Sequence, residues 1–525
     1  MTKISTSQKF KAYSPQQALL LPPSLEELIG AKHLVRVVNE VVERMDLSLL
    51  IQQYLGGGTS AYHPRMLLKV LLYAYSVKIY TGRKIAQALS QDIHFMWLSG
   101  MSRPDFRTIN NFRSSKAKEV IEVLFKEMLE FLLEHSYIKM ENYFCDGSTF
   151  RADANQHKMV WKKNAERYKA GTEEKCRALF KEIDQLNSEE DRQYGKGDLE
   201  EKGDASSITP EDIQAQAVLL DKQLAEASSN KKRRKATSLR KKLSEAESKI
   251  GKYDAQIVSA GNRSGYNTTD EDASAMRMKN KVEVLPAYNV MAGSEQQFIT
   301  GVSVHQNTND GVCFKDHLEQ VIPHQPFKPK NIIADSIFGT EQNYELLKEY
   351  EIENYMKFPL YHKEQTKKFK ENVFLKENFP YDVLTDSYQC PDGRLLTFNR
   401  KYVHTHKRTG YPSTIKEYSC ADCNNCPFYD QCCKATKQQH RSIQINEKLE
   451  DYKQQTRENL GTEKGTRLKK KRGVEIESCF GDIKHNMGFR RFHLRGLRKV
   501  QTEINLVAMA HNIRKICLQR QRKAS

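Results

Sequence analysis

The chain has 525 residues, with 84 Lys and Arg against 66 Asp and Glu, a formal charge of +18. That length suggests two to four domains with ample core. No run of about 18 apolar residues occurs, which argues against a membrane-spanning helix, and the start Met1-Thr-Lys-Ile-Ser-Thr-Ser-Gln-Lys9 lacks the apolar stretch of a secretory signal.

The charge is uneven. Residues 461–525 hold 17 Lys and Arg against 5 Asp and Glu, so +12 of the +18 sits in the last eighth of the chain. A block of this kind is the electrostatic footprint of phosphate binding. Of eleven cysteines, five crowd into 420–433. An odd count with one tight cluster argues for a reducing compartment and a candidate metal site, not a secreted disulfide framework. A cytoplasmic protein with no membrane partner is expected.

Residues 15–135 read as an all-helical N-terminal domain for DNA binding and assembly. Leu34, Val35, Val37, Val38, Val41, Val42 and Met45 repeat at helical spacing. Gly56-Gly-Gly58 breaks the chain, and Pro64 stands where the next helix would start. Thr81–Leu89 and Asp105–Arg113 are two further short helices. Gly and Ser punctuation with Arg and Lys on polar faces fits a helix-turn-helix-like unit; a plain bundle packed on the core fits equally well.

Tyr143-Phe-Cys145 begins a strand that ends at Asp146-Gly147. The polar stretch 156–262 predicts charged helical arms, a coiled-coil hairpin turning near Ser228-Ser-Asn230. Lys231-Lys-Arg-Arg-Lys235 there reads first as a solvated face and second as a phosphate contact. Strands are expected at Val282–Leu285, Tyr288–Met291 and Phe298–Val304, with Gly293-Ser294 as the hairpin signal. Helices at Phe314–Val321 and Gln342–Tyr350 flank a short buried strand ending at Asp335. Residues 365–450 form a polar, cysteine-rich insertion. Helices near 472–486 and at Leu497–Arg520 close the chain. The order suits an α/β mixed sheet with flanking helices, assembled from 136–155, 263–364 and 451–525.

Phosphodiester chemistry needs an activated nucleophile and a stabilised leaving oxygen, which two divalent ions about 4 Å apart can supply. Mg²⁺ prefers carboxylate oxygen and water. Asp146 and Asp335 end strands able to lie side by side, and Glu477 comes from a helix able to cross them. Asp153 competes with Asp146; Glu475 and Asp482 compete with Glu477. Glu475 lies two residues back, roughly 200° around the helix, away from the Phe480 side. Lys484, about two turns beyond Glu477, and Arg472 can hold phosphate beside the metals.

Together, Asp146-Gly-Ser-Thr149 with Arg151-Ala-Asp-Ala-Asn155, Tyr288-Asn-Val290, Ala334-Asp335-Ser-Ile-Phe-Gly339 and Glu477-Ser-Cys-Phe480-Gly481-Asp-Ile-Lys484 resemble the DDE transposases of bacterial insertion sequences. Phe489-Arg490-Arg491-Phe492, Arg495-Gly496 and Ala510-His511-Asn512 look like that family's C-terminal end, and Pro64-Arg65 and Pro104-Asp105 to Phe112-Arg113 like its N-terminal domain. The resemblance implies an RNase H-like core in which Asp146, Asp335 and Glu477 bind two Mg²⁺ ions, with Mn²⁺ as a substitute. It implies cutting at terminal inverted repeats and joining to target DNA, with a homo-oligomer on double-stranded DNA. Arg472, Lys484, Arg490, Arg491 and Arg495 are the DNA-binding candidates. One feature departs from the family pattern, which places an Arg four positions before the Glu. That position is Gly473 here, and the Arg is Arg472. The long separations, 189 residues from Asp146 to Asp335 and 142 from there to Glu477, are supplied by the two insertions.

In the second insertion, Cys420-x2-Cys423-x2-Cys426-x5-Cys432-Cys433 has zinc-ligand spacing. Cys390-Pro-Asp-Gly393 resembles the other knuckle of a zinc ribbon. A structural Zn²⁺ would draw on Cys420, Cys423, Cys426 and Cys432, with Cys390 or Cys433 as alternates; His404, His406 and His440 are weaker candidates, and reduced cysteines without metal remain the plain reading. Two rivals stand beside the transposase: a standalone metal-dependent nuclease, and a catalytically silent, transposase-derived DNA-binding regulator.

Overall fold

The computed structural model describes residues 24–54, 61–194, 210–226, 230–278, 283–433 and 440–523. Residues 15–23, the Gly56–Gly58 break and the start of the 282–285 strand therefore lie outside the described residues. The sheet at the centre runs β2-β3-β4-β5-β1-β7-β8, with β6 also paired to β5. Its strands are β1 (Asn142–Arg151), β2 (Met159–Trp161), β3 (Gly265–Asn267), β4 (Asp270–Arg277), β5 (Val284–Glu295), β6 (Phe298–His305), β7 (Asn331–Ile333) and β8 (Glu353–Asn354). β1 pairs antiparallel with β5 and parallel with β7. This mixed sheet, flanked by helices and preceded by a helical region, is consistent with an RNase H-like fold.

Alternation along β1 sorts its side chains onto two cores. Phe144 and Phe150 join a core shared with the N-terminal helices and the C-terminal helix Leu497–Lys523. Tyr143 and Cys145 join a second core beneath helices Asp310–Val321 and Glu341–Glu349. The N-terminal helices are thus not a separate bead. Helices Leu34–Arg44, Pro64–Ser76 and Ile121–Glu134 bury their apolar stripes in the same core as the sheet. The predicted starts are visible: Pro64 opens its helix, and Thr81 and Asp105 cap theirs through side-chain oxygens. Arg113, expected on a polar face, is instead 3% exposed. Its guanidinium donates to the Tyr75 hydroxyl and the Tyr80 carbonyl, both at 2.8 Å.

Two strand predictions are corrected. β5 is one 12-residue strand, so Gly293 and Ser294 do not turn. The hairpin turns at Gln296 and Gln297, both with positive φ (53° and 61°), the backbone that a two-residue turn between twisted strands requires. Gly293 is there because the Tyr143 ring lies across it; a Cβ would stand 1.7 Å from that ring. Likewise Asp146-Gly147 does not end β1, which continues to Arg151. Gly147 makes room for the Asp310 carboxylate, 2.5 Å from where its Cβ would be.

β6 would be an open edge, but side-chain amides stand in for a neighbouring strand. Gln501 accepts from Val304 N–H and donates to the Val302 carbonyl; Asn512 does the same for Ile299. The entry to β1 is held by Glu295, 4% exposed, whose carboxylate accepts from the backbone N–H of Lys139, Met140, Glu141 and Asn142 at 2.6–2.9 Å. Glu295→Ala strands all four donors and is expected to cost about 3 kcal/mol or more, read by denaturant unfolding. A loss below about 1 kcal/mol would show that water replaces the carboxylate.

The charged insertion is a three-helix bundle, not the predicted two-helix hairpin. Its helices Lys162–Tyr194, Pro210–Glu226 and Asn230–Ala260 close over Cys176, Phe180, Ile213, Leu220, Leu239, Leu243 and Ile250. Ser228 and Ser229, where the turn was expected, lie outside the described residues. The cysteine-rich insertion carries its own antiparallel five-stranded sheet: β9 (Tyr381–Asp382), β10 (Ser387–Gln389), β11 (Leu395–Thr405), β12 (Pro412–Cys420) and β13 (Ser442–Ile445). Glu341 ties it to the central body by accepting from Ser413 and Asn446 at 2.6 Å each. Among the described residues, no helix is long and apolar enough to cross a membrane.

Candidate active site

The parallel register ends at Phe144↔Ile333, with Asp146 two residues further along β1 and Asp335 two residues past the end of β7. Phe144 and Ile333 belong to one core while Cys145 and Ala334 belong to the other. Alternation therefore turns both aspartates to the face covered by Ile476, Cys479 and Phe480, on the segment that carries Glu477. Asp335 leaves β7 extended and precedes the 3-10 turn Ser336–Phe338. Gly339 closes that turn against the backbone of Lys357 and Phe358, where a Cβ would meet the Lys357 carbonyl at 2.3 Å.

The helix that crosses this face is irregular. Glu463–Arg472 and Ser478–Gly481 are α-helical, whereas Gly473–Glu477 and Asp482–Asn486 are π-helical. A π turn absorbs one extra residue and leaves the orientation of the next turn unchanged. The residue that sets this chain apart from the family pattern lies inside the first π turn, and Arg472 meets Glu477 despite the i,i+5 spacing: its Nη2 donates to Glu477 Oε1 at 3.0 Å. Deleting Gly473 should restore a regular α turn, keep the pair and leave DNA cutting within about threefold. An Ala inserted there should rotate Arg472 by about 100° and lower cutting tenfold or more. Equal rates for the two variants would count against this account.

Glu475 and Glu477 sit in different surroundings. Glu475 is buried and accepts from Gln297 N–H at 2.6 Å; burial raises its carboxyl above the ordinary value. The Glu477 side chain is 54% exposed. Asp153 is taken up by ion pairs to Arg491 and Arg495. Asp482 accepts from His511 Nδ1 at 2.8 Å, while His511 Nε2 donates to the Gln297 carbonyl at 3.1 Å. Burial opposes both charges, yet the hydrogen bond between them wins, lowering Asp482 to about 2 and raising His511 to about 10. A raised imidazolium contributes stability that is whole below its unfolded value near 6.5 and lost as pH climbs through about 10. Melting temperature should fall over that window in the wild type. His511→Gln should flatten this part of the profile; an unaltered slope would refute the charged pair.

Lys484, seven residues past Glu477, donates to Ser148 Oγ at 2.6 Å and to the Thr149 carbonyl at 2.8 Å, and stands 4.4 Å from the centre of the Phe150 ring. It clasps the helix to β1 just beyond Asp146. The segment with Arg490 and Arg491 then runs beside the end of β1: Arg151 N–H donates to the Arg490 carbonyl and Phe492 N–H to the Arg151 carbonyl. Arg490 donates to the Lys484 carbonyl at 3.0 Å. Basic side chains thus follow β1 from the acids to its far end.

Two neighbours of the acids carry no mark in the sequence pattern that points to the site. Lys357, after β8, is half-buried; burial lowers its pKa, and the fields of Asp335 and Glu477 oppose that. Asp310 lies on the other face of β1, against Gly147 and hydrogen-bonded by Asn289 Nδ2 at 2.6 Å. Lys357 has no local signal at all, whereas Asp310 follows the helix cap Asn309 and reads as an N-terminal helix residue.

The acids offer the hard oxygen ligands that divalent ions prefer, on one face of one sheet, and in donor chemistry they fit such ions. They are not drawn together: among the described residues, no group of three or more His, Cys, Asp or Glu is arranged to hold a metal ion. Glu477 engages Arg472 instead. The cysteines gather without closing on a site. Cys420 and Cys423 are buried in the small core of the second sheet, with Cys390 and Cys433 packed against it. Cys390-Pro-Asp-Gly393 makes a tight turn with Gly393 at φ 80°. All eleven thiols are free.

Comparison with known families adds to this geometry. The transposase DDE domain family matches residues 389–517, and the transposase domain family DUF772 matches residues 23–115. The first spans the Glu477 helix, the basic segment and most of the closing helix; the second spans the helical front. No curated protein and no solved structure matches the chain. Both matches are to transposase families, and with the fold they support an insertion-sequence DDE transposase.

Proposed function

We propose that this transposase cuts the ends of its element and joins them to target DNA at a centre formed by Asp146, Asp335 and Glu477. The observation that supports this best is the common face: an aspartate on β1, another just past the end of its parallel neighbour β7, and a glutamate on the helix above them, with Arg472 and Lys357 close by. Divalent ions, Mg²⁺ or Mn²⁺, would activate water or a DNA 3′-hydroxyl and neutralise charge on the phosphodiester. Asp146, Asp335 and Glu477 would hold them. Arg472 orients the Glu477 carboxylate and keeps it from folding away. Lys484 fixes the helix on β1, and Arg490, Arg491 and Arg495 bind the phosphates leading into the site. The N-terminal helices contribute to DNA binding and assembly, and two DNA ends call for at least a dimer. The protein acts in the cytoplasm, on the nucleoid.

In the second sheet, Cys420, Cys423, Cys426 and Cys432, with Cys390 or Cys433 as alternates, would hold a structural Zn²⁺, remote from the chemistry. The experiment is incubation of the full chain with DNA carrying the element's ends and a target duplex, in Mg²⁺ and in Mn²⁺. Cut ends joined to target support the reading. Cutting without joining would make the protein a nuclease, and binding without cutting a regulator.

A further inference from the structure

The last arm helix, Asn230–Ala260, holds ten Lys and Arg against three Asp and Glu, a net +7 over 31 residues. Its partners do not share this excess: Lys162–Tyr194 is balanced, eight against eight, and Pro210–Glu226 is net −3. The charge is also sorted by face. At 100° per residue, Arg234, Lys235, Lys241, Lys242, Lys249 and Lys252 fall within an arc of about 120°. All six are exposed. The buried positions Ala236, Leu239, Leu243, Ala246 and Ile250 form a separate stripe centred about 120° away. Glu245 is the one acid inside the basic arc.

Where the bundle needs ion pairs for its own packing, it has them: Lys169 with Asp254, and Arg240 with Asp221. None of the six takes part in an ion pair among the described residues. Like charges lined up from Arg234 to Lys252, about 27 Å, repel one another, and a polyanion relieves that repulsion. Duplex DNA, with one charge per roughly 1.7 Å of axis, matches such a stripe over about eight base pairs. The helix offers no surface for stacking bases: its single aromatic, Tyr253, packs against Tyr168 with ring centres 6.0 Å apart. The arm springs from β2 and β3, with Trp161 paired to Gly265. Through β4 and then β5, those strands join the Arg151 end of β1, where the Arg490–Arg491 segment also runs.

We infer that the outer face of helix Asn230–Ala260 is a second double-stranded DNA-binding surface, which grips the phosphate backbone without reading sequence and extends the basic track away from the acids. This rests on the transposase reading only for which DNA is bound. The test is equilibrium binding of a 40-base-pair duplex to the full chain, wild type against Lys241→Gln/Lys242→Gln/Lys249→Gln, over a range of salt. Gln keeps helix propensity, and circular dichroism verifies the fold. The expected result is affinity at least tenfold weaker at low salt and a log–log salt slope shallower by about 2–3, near 0.9 per lost phosphate contact. Metal-dependent cutting of a short duplex that ends at the cleavage site should persist in the variant. Unchanged affinity and slope in a folded variant would overturn the inference, and so would an equal loss of affinity with an unchanged slope. Failure of the transposase reading would look different: no metal-dependent cutting by either protein, with the arm's effect on duplex binding intact.

Discussion

Asp335→Asn is expected to slow DNA cutting at least a thousandfold, about 4 kcal/mol of activation free energy, while duplex affinity stays within about twofold. The substitution keeps shape and removes a charge at the end of β7. Asp335 is not part of the core, and its loop is fixed by the close approach of Gly339 to Lys357, so melting should scarcely change. Asp146→Asn and Glu477→Gln should behave alike. The readout is single-turnover cleavage in Mg²⁺ with parallel binding isotherms. Wild-type cutting by any one variant removes that residue from the centre.

The second large effect falls on a buried carboxylate outside the three acids. Glu503 is fully buried in the closing helix. It accepts from the backbone N–H of His493 and Leu494 at 2.8 and 2.9 Å and from the Tyr75 hydroxyl at 3.2 Å, and its carboxylate lies 4.0 Å from Arg113. One carboxylate therefore joins the helical front, the closing helix and the loop that carries Arg490, Arg491 and Arg495. Glu503→Ala leaves a buried guanidinium without its counter-charge and is expected to cost about 3–5 kcal/mol. Denaturant unfolding measures the loss. Chemical footprinting should show the Arg490–Arg495 loop exposed before the sheet opens. A loss under about 1 kcal/mol would mean that the Tyr75 and Tyr80 contacts suffice for Arg113.

Much of this architecture is legible in the sequence. Pro64, Thr81 and Asp105 mark helix starts because caps and N1 prolines act locally. The buried strand at Asn331–Ile333 is marked by a short apolar run, and Asp335 lies just past it. What escaped depends on contacts between distant segments. Gly147 and Gly293 look like turn residues, yet each is a glycine inside a strand because a side chain from elsewhere occupies its Cβ space. Arg113 looks like a surface cation, and its buried partners come from residues 75, 80 and 503. Periodicity arguments assume 3.6 residues per turn, and the helix over the acids breaks that period twice. The first π turn also holds the extra residue between Arg472 and Glu477, and the two stay paired across it. Lys357 approaches the acids from a loop after β8, a closeness no local pattern carries.

Acids from β1, the segment just past β7 and the crossing helix are proposed to act as one centre. Groups that work as a unit are strongly non-additive. The most direct measurement is single-turnover cleavage of end DNA in Mn²⁺ by wild type, Asp335→Asn and the triple variant Asp146→Asn/Asp335→Asn/Glu477→Gln. One shared centre predicts that the single and triple variants fall to the same floor. Cutting that survives in the single variant and drops further in the triple would contradict it.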